Sequence, residues 1–269
     1  MNPQSIPPEE LLRGLIALMI PLTYAAMVLV ERFDSGLRWP VIAHWQWIGA
    51  AGFRLLGVVN ALVSTALLKL FGNVHLIDTS EWGVLPAALF GYLWLSLGNA
   101  LLHRAYHHFD WLWRHVHQLH HAPQRIDVAG VMFQTPLEAA ANAVLFMLVS
   151  VFLLGLSPLA TMLLAYIGSF YGMFQHFNVR TPRLLGYLIQ RPEAHCEHHR
   201  RGHHRYNYSD LPIWDWFAGS LRNPARFSGE VGFAAPLGEI IVPMLRGQSL
   251  PEAAVRGAAP ARDDRLPLS

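Results

Sequence analysis

Most histidines of this chain lie in one part of the sequence, at spacings that place side chains on one helix face. Thirteen of the fifteen histidines fall between positions 103 and 204. They form an HxxxH pair, two HxxHH boxes and one isolated histidine: His103 and His107; His117, His120 and His121; His176; His195, His198 and His199. Residues three and four apart share a helix face, so we expect each HxxHH box to direct three imidazoles at one point. Imidazole is a common metal ligand, and the spacing therefore predicts a metal site.

The number of histidines in these motifs indicates how many ions they bind. Nine imidazoles are more than one transition-metal ion accepts and suit two ions with open positions for oxygen or water. Without a metal, so many clustered imidazoles would leave donors and acceptors unpaired. A solvated histidine-rich tract would show low complexity instead of repeated helical spacing. We therefore predict a di-metal site, and we interpret the lone His44 and His75 as structural.

The composition indicates that these histidines belong to a membrane protein. Hydrophobic residues make up 53% of the chain and charged residues only 14%, against about a quarter charged in soluble domains. Residues 11–30 contain one charge, Arg13, and residues 83–102 and 139–175 contain none. A helix of about 20 residues spans the hydrocarbon layer, so residues 139–175 suffice for two crossings. Ser157 and Pro158 mark the expected bend between them.

The order of the predicted spans brings every histidine cluster to one membrane face. If residues 83–102 cross once and residues 139–175 cross out and back, His103 to His121 and His176 to His204 share a side. The arginines around these clusters assign that side to the cytoplasm. Residues 47–70 contain Arg54, Asn60 and Lys69, so this segment either spans the membrane or lies tilted at its surface. The position of the N-terminus depends on that choice.

The termini and rarer residues complete this picture. The N-terminal apolar segment lacks a cationic region before it and is longer than a secretory signal core, so we expect a retained helix. The single cysteine, Cys196, rules out an internal disulfide and is interpreted as an inert thiol. One lysine against 19 arginines suggests a bacterial chain. We therefore predict an all-α integral membrane helical bundle of four to five spans in the bacterial cytoplasmic membrane, with a cytosolic helical cap carrying the histidine-rich di-metal site.

The order of these motifs resembles the fatty acid hydroxylase and sterol desaturase family of integral-membrane di-iron enzymes. The resemblance includes the HxN of His176 and Asn178 and the local sequences at residues 112–114, 190–193 and 207–215, and it covers about residues 83–223. It divides the chain into N-terminal membrane helices (1–82), a catalytic domain (83–223) and a C-terminal cytosolic tail (224–269). It implies two iron ions, molecular oxygen and externally supplied electrons, used to hydroxylate or desaturate an unactivated C–H bond of a fatty acyl chain, sterol or related lipid.

The resemblance also implies which residues act. The expected iron ligands are His103, His107, His117, His120, His121, His176, His195, His198 and His199, with His204 as a further candidate. A frame in which His115 is a ligand stays open, while His108 and His203 are expected near the ligands or on the surface. Asn178, Tyr208, Asp210 and Asp215 are expected to orient ligand imidazoles. Phe170, Tyr171, Met173 and Phe174 are expected to line a substrate cavity.

The sequence offers no electron-transfer module of its own and leaves an alternative activity open. It contains no haem domain, Gly-rich dinucleotide motif or CxxC pair, so we expect a separate reductase or a ferredoxin-, rubredoxin- or cytochrome-type carrier. No basic stripe suggests a nucleic acid partner. The alternative is a membrane zinc-dependent hydrolase, although such enzymes usually keep a carboxylate base beside the metal, as in HExxH. A metal transporter would need polar groups midway through its spans.

Overall fold

The computed structural model describes residues 7–72 and 74–257 and is helical, with one isolated antiparallel bridge between Arg200 and Val231. Within these ranges there is no β-strand, as predicted for an all-α protein. The α-helices are α1 (Pro8–Phe33), α2 (Trp45–Phe71), α3 (Val84–His108), α4 (Asp110–Leu112), α5 (Val128–Val131), α6 (Pro136–Met147), α7 (Pro158–His176), α8 (Pro192–His198), α9 (Pro212–Phe217), α10 (Leu237–Leu245) and α11 (Glu252–Arg256). Trp113–His117 and Leu148–Leu153 are π-helical, and Arg183–Tyr187 is a 3₁₀ helix.

Among the described residues, four helices are long and apolar enough to cross a membrane: α1, α2, α3 and the continuous helix Pro136–Leu153 formed by α6 and its π-helical extension. The fifth long helix, α7, packs against both α1 and α3. The sequence left open whether residues 47–70 cross, and the structure places them in α2, which packs along α6. His103 therefore lies near the end of the third long helix, α3, after α1 and α2.

The ends of these helices alternate between two sides of the bundle. On the histidine side, the Glu31 carboxylate near the end of α1 accepts the backbone N–H groups of Val128 and Asn178, at 3.0 and 2.8 Å. The indole N–H of Trp45 at the start of α2 donates to Asp127 Oδ1 at 2.8 Å on the same side. On the opposite side, Thr79 donates to the carbonyl oxygen of Leu154 at 2.6 Å. The start of α1 consequently lies opposite to the histidines.

Two short sequence signals set the hairpin formed by α6 and α7. Ser157 caps α7 by accepting the N–H of Ala160 at 3.3 Å, and Pro158 occupies the first helical position, where its missing N–H costs nothing. Gly155, with φ +49°, makes the preceding turn, and a Cβ there would lie 2.7 Å from the His75 ring. The predicted bend at Ser157 and Pro158 is therefore correct.

The cap on the histidine side is held by apolar and polar contacts. Trp45, Leu119, Phe133 and Phe233 belong to a buried cluster that joins the start of α2 to the cap. Arg191, just before α8, is fully buried and pairs with Glu193, Nη2 to Oε2 at 3.1 Å. Its guanidinium also donates to the carbonyl oxygen of Pro224 at 2.9 Å. A buried charge with this many partners fixes where α8, and therefore the second HxxHH box, begins.

Candidate metal centre

The structure brings nine histidines from four separate segments into two adjacent groups. Within each group the imidazole nitrogens that could bind an ion all lie within 4.8 Å of one another. The first group is His103, His107, His117, His121 and His198, and the second is His120, His176, His195 and His199. The groups touch, since the rings of His121 and His199 stack with centroids 4.0 Å apart.

The two HxxHH boxes are divided between the groups, which corrects the expectation that each box converges on one point. In the first box His117 and His121 join the first group, whereas His120 joins the second. In the second box the assignment is reversed, because His198 joins the first group. The two histidines four residues apart in each box converge, whereas the histidine three residues after the first one, His120 or His198, belongs to the other group. In the first box the helix ends at His117 and residues 118–121 form turns, so helical periodicity does not govern the whole box.

The spacing of the Nε2 atoms matches a coordination sphere. Nε2 of His117 lies 2.9 Å from Nε2 of His103 and 3.0 Å from Nε2 of His121. In the second group, Nε2 of His195 lies 2.9 Å from Nε2 of His176 and 3.1 Å from Nε2 of His199. Nitrogens at about 2.1 Å from one ion and at right angles to each other are about 3.0 Å apart. The observed separations are those of neighbouring ligands on one ion.

Hydrogen bonds at the opposite ring nitrogen show that Nε2 of His103 and Nε2 of His198 carry lone pairs. Nδ1 of His103 lies 2.8 Å from the carbonyl oxygen of Tyr208, and Nδ1 of His198 lies 2.7 Å from that of Tyr206. A carbonyl only accepts, so each Nδ1 bears the proton and each neutral ring leaves Nε2 bare. Two lone pairs directed at one point repel each other unless a cation lies between them. The donor set therefore fits a metal ion.

The electrostatics of the site keep the imidazoles neutral, as metal binding requires. Burial, together with the imidazoles of His103 and His107, holds the pKa of His117 well below its ordinary value. Burial lowers the pKa of His120 to about 3, helped by His103. Burial is the main cause of a lowered pKa in the other cap histidines too, namely His121, His195, His198 and His199.

Two partners of the histidines were not predicted from the sequence. Glu138 of α6 is buried, and its Oε1 lies 2.8 Å from Nδ1 of His117. The side-chain amide of Gln190 lies 2.9 Å from Nδ1 of His195. Partners of this kind fix the orientation of a metal-binding imidazole. The sequence contained only a weak signal for this role of Glu138. Thr135-Pro136-Leu137-Glu138 has the pattern of a helix capping box, which predicts that the glutamate bonds to the backbone at the start of its own helix.

Of the four residues expected to orient imidazoles, Tyr208 contacts metal-centre histidines, through its backbone carbonyl at His103 and through its ring, which packs against His107 and His198. Asp210 accepts from the side-chain amides of Gln175 and Asn99. Asp215 is fully buried and accepts from Arg104, Ser209 and Ser220, which holds the loop after the second box. Asn178 pairs with the backbone of Leu37 in both directions, at 2.9 Å.

The remaining histidines of the region lie outside the two groups. Nδ1 of His204 is 3.1 Å from Nδ1 of His121, so His204 contacts a member of the first group from behind. His115 stacks on Trp111 and bonds to its carbonyl oxygen at 2.9 Å. His108 and His203 are exposed.

A cavity of about 1100 Å³ reaches the histidines from within the bundle. Its floor is formed by five histidines of the two groups, and these are His103, His117, His120, His176 and His195. Its walls come from α1, α2, α3, α6 and α7. Along α7 the lining extends from His176 back to Met162, a rise of about 21 Å. The arrangement places an open path inside the helical bundle against the candidate metal centre.

The four residues expected to line a substrate cavity are distributed over different surfaces. Met173 lines the cavity above the histidines. Phe170 and Tyr171 line a separate apolar pocket between α3 and α7, which also contacts Leu188 and Leu211. Phe174 stacks on Phe170 and packs with Met27 and Met173 in a buried cluster.

The model of the fatty acid hydroxylase family matches residues 88–220. The matched segment begins within α3, ends just after α9 and contains every histidine of the two groups. Searches of curated proteins and of solved structures returned no significant match.

Proposed function

Since residues 88–220 belong to the fatty acid hydroxylase family, we propose that the protein is a membrane-bound, O2-dependent di-iron oxidoreductase. It would hydroxylate or desaturate an unactivated C–H position of a fatty acyl chain, sterol or related lipid. The observation that carries the proposal is the cavity whose floor consists of histidines from both groups. A lipid in that cavity would lie directly against both ions.

The residues of the two groups are suited to iron. When bound, two iron ions supply the oxidising power by reducing O2 with two electrons from an external donor. The nine neutral imidazoles would hold both ions, and groups of five and four donors would leave positions free for oxygen or water. The carbonyl oxygens of Tyr206 and Tyr208 and the carboxylate of Glu138 hold three of these imidazoles in the tautomer that exposes Nε2.

The helical walls determine which bond of the lipid reacts. The upper cavity is lined by apolar side chains such as Leu164, Phe146 and Met162, which would hold a chain or ring system and exclude water. Hydroxylation and desaturation differ in how the second hydrogen is placed relative to the ions. A displacement of about 1 Å changes such outcomes strongly.

We further propose that the centre faces the cytoplasm of a bacterial cell. Arginines on the histidine side include the exposed Arg180, Arg205 and Arg222, and an excess of arginine at one face is typical of the cytoplasmic side. A ferredoxin-, rubredoxin- or cytochrome-type carrier, or a dedicated reductase, would deliver electrons from that side.

The proposal is tested by supplying ¹⁸O2 to membranes that contain the protein and analysing their lipids by mass spectrometry. We expect an ¹⁸O-labelled alcohol, or an alkene, that is absent from membranes containing the His176→Ala variant. The matched control is His108→Ala, which removes an exposed histidine outside both groups and should leave product formation intact. A product that requires neither O2 nor reductant, together with bound zinc, would instead support the membrane zinc hydrolase.

A further inference from the structure

Three polar side chains, Tyr106, Glu138 and Asn142, line the cavity, and the first two lie beside His117. Tyr106 and Glu138 are each only 3% exposed, and both line the cavity. The Tyr106 hydroxyl and Glu138 Oε2 are buried without a hydrogen-bond partner among residues 7–72 and 74–257. The third side chain, Asn142, also lines the cavity. Buried polar groups normally have hydrogen-bond partners, so these two oxygen atoms indicate that a bound molecule supplies a polar group to pair with them.

The positions of these groups define a common subsite. The Tyr106 ring lies 5.3 Å from that of His117, centroid to centroid, and Oε1 of Glu138 lies 2.8 Å from Nδ1 of the same histidine. Asn142 follows Glu138 by four residues on α6, which places its amide on the same helix face about 6 Å further into the bundle. Tyr106 and Glu138 therefore line the cavity next to the first histidine group, and Asn142 lines it about one helical turn further in.

We infer that Tyr106, Glu138 and Asn142 bind a hydroxyl group of the substrate, so that the protein acts on hydroxyl-bearing lipids near the carbon that carries the hydroxyl. This inference rests on the proposed function and specifies its substrate class. Tyr106 can donate, Glu138 Oε2 can accept, and the Asn142 amide can do both. A hydroxyl, which donates and accepts, satisfies this combination.

The other residues that line the cavity also favour a hydroxyl-bearing lipid as the substrate. None of the described residues that line the cavity is arginine or lysine, so no side chain there neutralises an anionic headgroup. A plain hydrocarbon end would leave Tyr106 and Glu138 unpaired and desolvated. The apolar walls further along α6 and α7 then accommodate the remainder of the lipid.

The inference is tested by equilibrium binding of two radiolabelled probes, hexadecan-1-ol and hexadecane, to the metal-loaded full-length protein in nanodiscs. The probes share a chain and differ by one hydroxyl. We expect hexadecan-1-ol to bind at least about 10-fold more tightly. Tyr106→Phe and Asn142→Leu, which keep the size of each side chain, should each reduce that preference roughly 2- to 10-fold. Equal affinity of the two probes for the wild-type protein would overturn the inference.

A control variant separates this subsite from general effects on the cavity. Ser169→Ala removes a hydroxyl from the α7 wall of the same cavity and should leave the preference for hexadecan-1-ol unchanged. An equal loss of preference in Ser169→Ala and Asn142→Leu would contradict a specific subsite. Metal content is measured on every sample, so failure of the proposed function appears as missing iron, whereas failure of the subsite appears as equal probe binding with iron retained.

Discussion

The carboxylate of Glu138 lies 2.8 Å from Nδ1 of His117, on the side of the ring opposite the first histidine group. Glu138 belongs to α6 and His117 to the π-helical turn, so this contact joins a candidate membrane span to the cap. π-helical turns are frequent at functional sites, where the extra residue redirects a side chain. The pair fixes both the tautomer and the direction of an imidazole that lies close to two other donors of its group.

Removing that carboxylate should weaken the first metal site. We expect Glu138→Leu to lower metal affinity about 10- to 100-fold, whereas Glu138→Gln, which keeps an acceptor oxygen for His117, should lose less. Metal retained after dialysis against graded chelator measures the difference. Glu197→Gln is the control, since Glu197 bonds to Arg200 and to none of the metal-centre histidines. Equal metal retention by Glu138→Leu and wild type would contradict a role for Glu138.

The division of the HxxHH boxes predicts a reciprocal pattern of metal loss. His120→Ala removes one of four donors from the second group, although its neighbour His121 belongs to the first. His198→Ala removes one of five donors from the first group. We expect His120→Ala to release the second ion and His198→Ala to weaken the first, as seen by ⁵⁷Fe Mössbauer spectra with two distinct sites. Loss of the same spectral component in both variants would show that the division is incorrect.

The stability of the loop that follows the second HxxHH box should depend on the side chain of Asn207. This residue is fully buried, has φ +50°, accepts the N–H of Arg222 at 2.7 Å and donates to the carbonyl oxygen of Ala194 at 2.8 Å. Asn207→Ala should lower the free energy of unfolding by about 2–4 kcal/mol, because two hydrogen bonds are lost and alanine is disfavoured at positive φ.

A second substitution separates the two causes. Asn207→Gly removes the hydrogen bonds but tolerates positive φ, so its stability should lie between those of Asn207→Ala and wild type. The comparison is made by thermal unfolding in detergent, with Asn60→Ala as the control, since the exposed Asn60 amide donates to the carbonyl oxygen of Leu56 in its own helix. Unchanged stability of Asn207→Ala would mean that the loop does not depend on this residue.

The buried histidines make the metal-free protein sensitive to acid. His120 stays neutral in the folded chain down to a pKa of about 3, whereas an unfolded histidine takes up its proton near 6.5. Between these values the unfolded state binds more protons, so the free energy of unfolding falls as the pH is lowered, by up to about 1.4 kcal/mol per pH unit for each such histidine. Unfolding of chelator-stripped protein between these pH values measures the slope. We expect a shallower slope for His120→Leu than for the wild-type protein.

The sequence predicted the elements that depend on local patterns. The lengths of the uncharged stretches predicted the positions of the long helices. Ser157 and Pro158 predicted the bend, because helix capping and the missing N–H of proline are local effects. The crossing of residues 47–70 stayed open, since Arg54 and Lys69 interrupt an otherwise apolar segment. The structure places this segment in α2, a helix that is long and apolar enough to cross a membrane and that packs along α6.

The arrangement within the centre was less accessible from the sequence. The direction of His120 depends on where the helix before it ends, and helix periodicity alone placed it with His117. Glu138 occupies the third position of a helix, where a glutamate commonly caps the N-terminus. Its actual partner lies 21 residues away in the sequence, a distance at which spacing carries no information.

Metal analysis of the purified full-length protein by inductively coupled plasma mass spectrometry tests the di-iron centre most directly. Two groups of neutral, buried imidazoles with converging Nε2 atoms predict two iron ions per chain after expression in iron-replete medium. A single bound zinc ion per chain, with no oxygen consumption in the presence of lipid and reductant, would contradict a di-iron oxygenase.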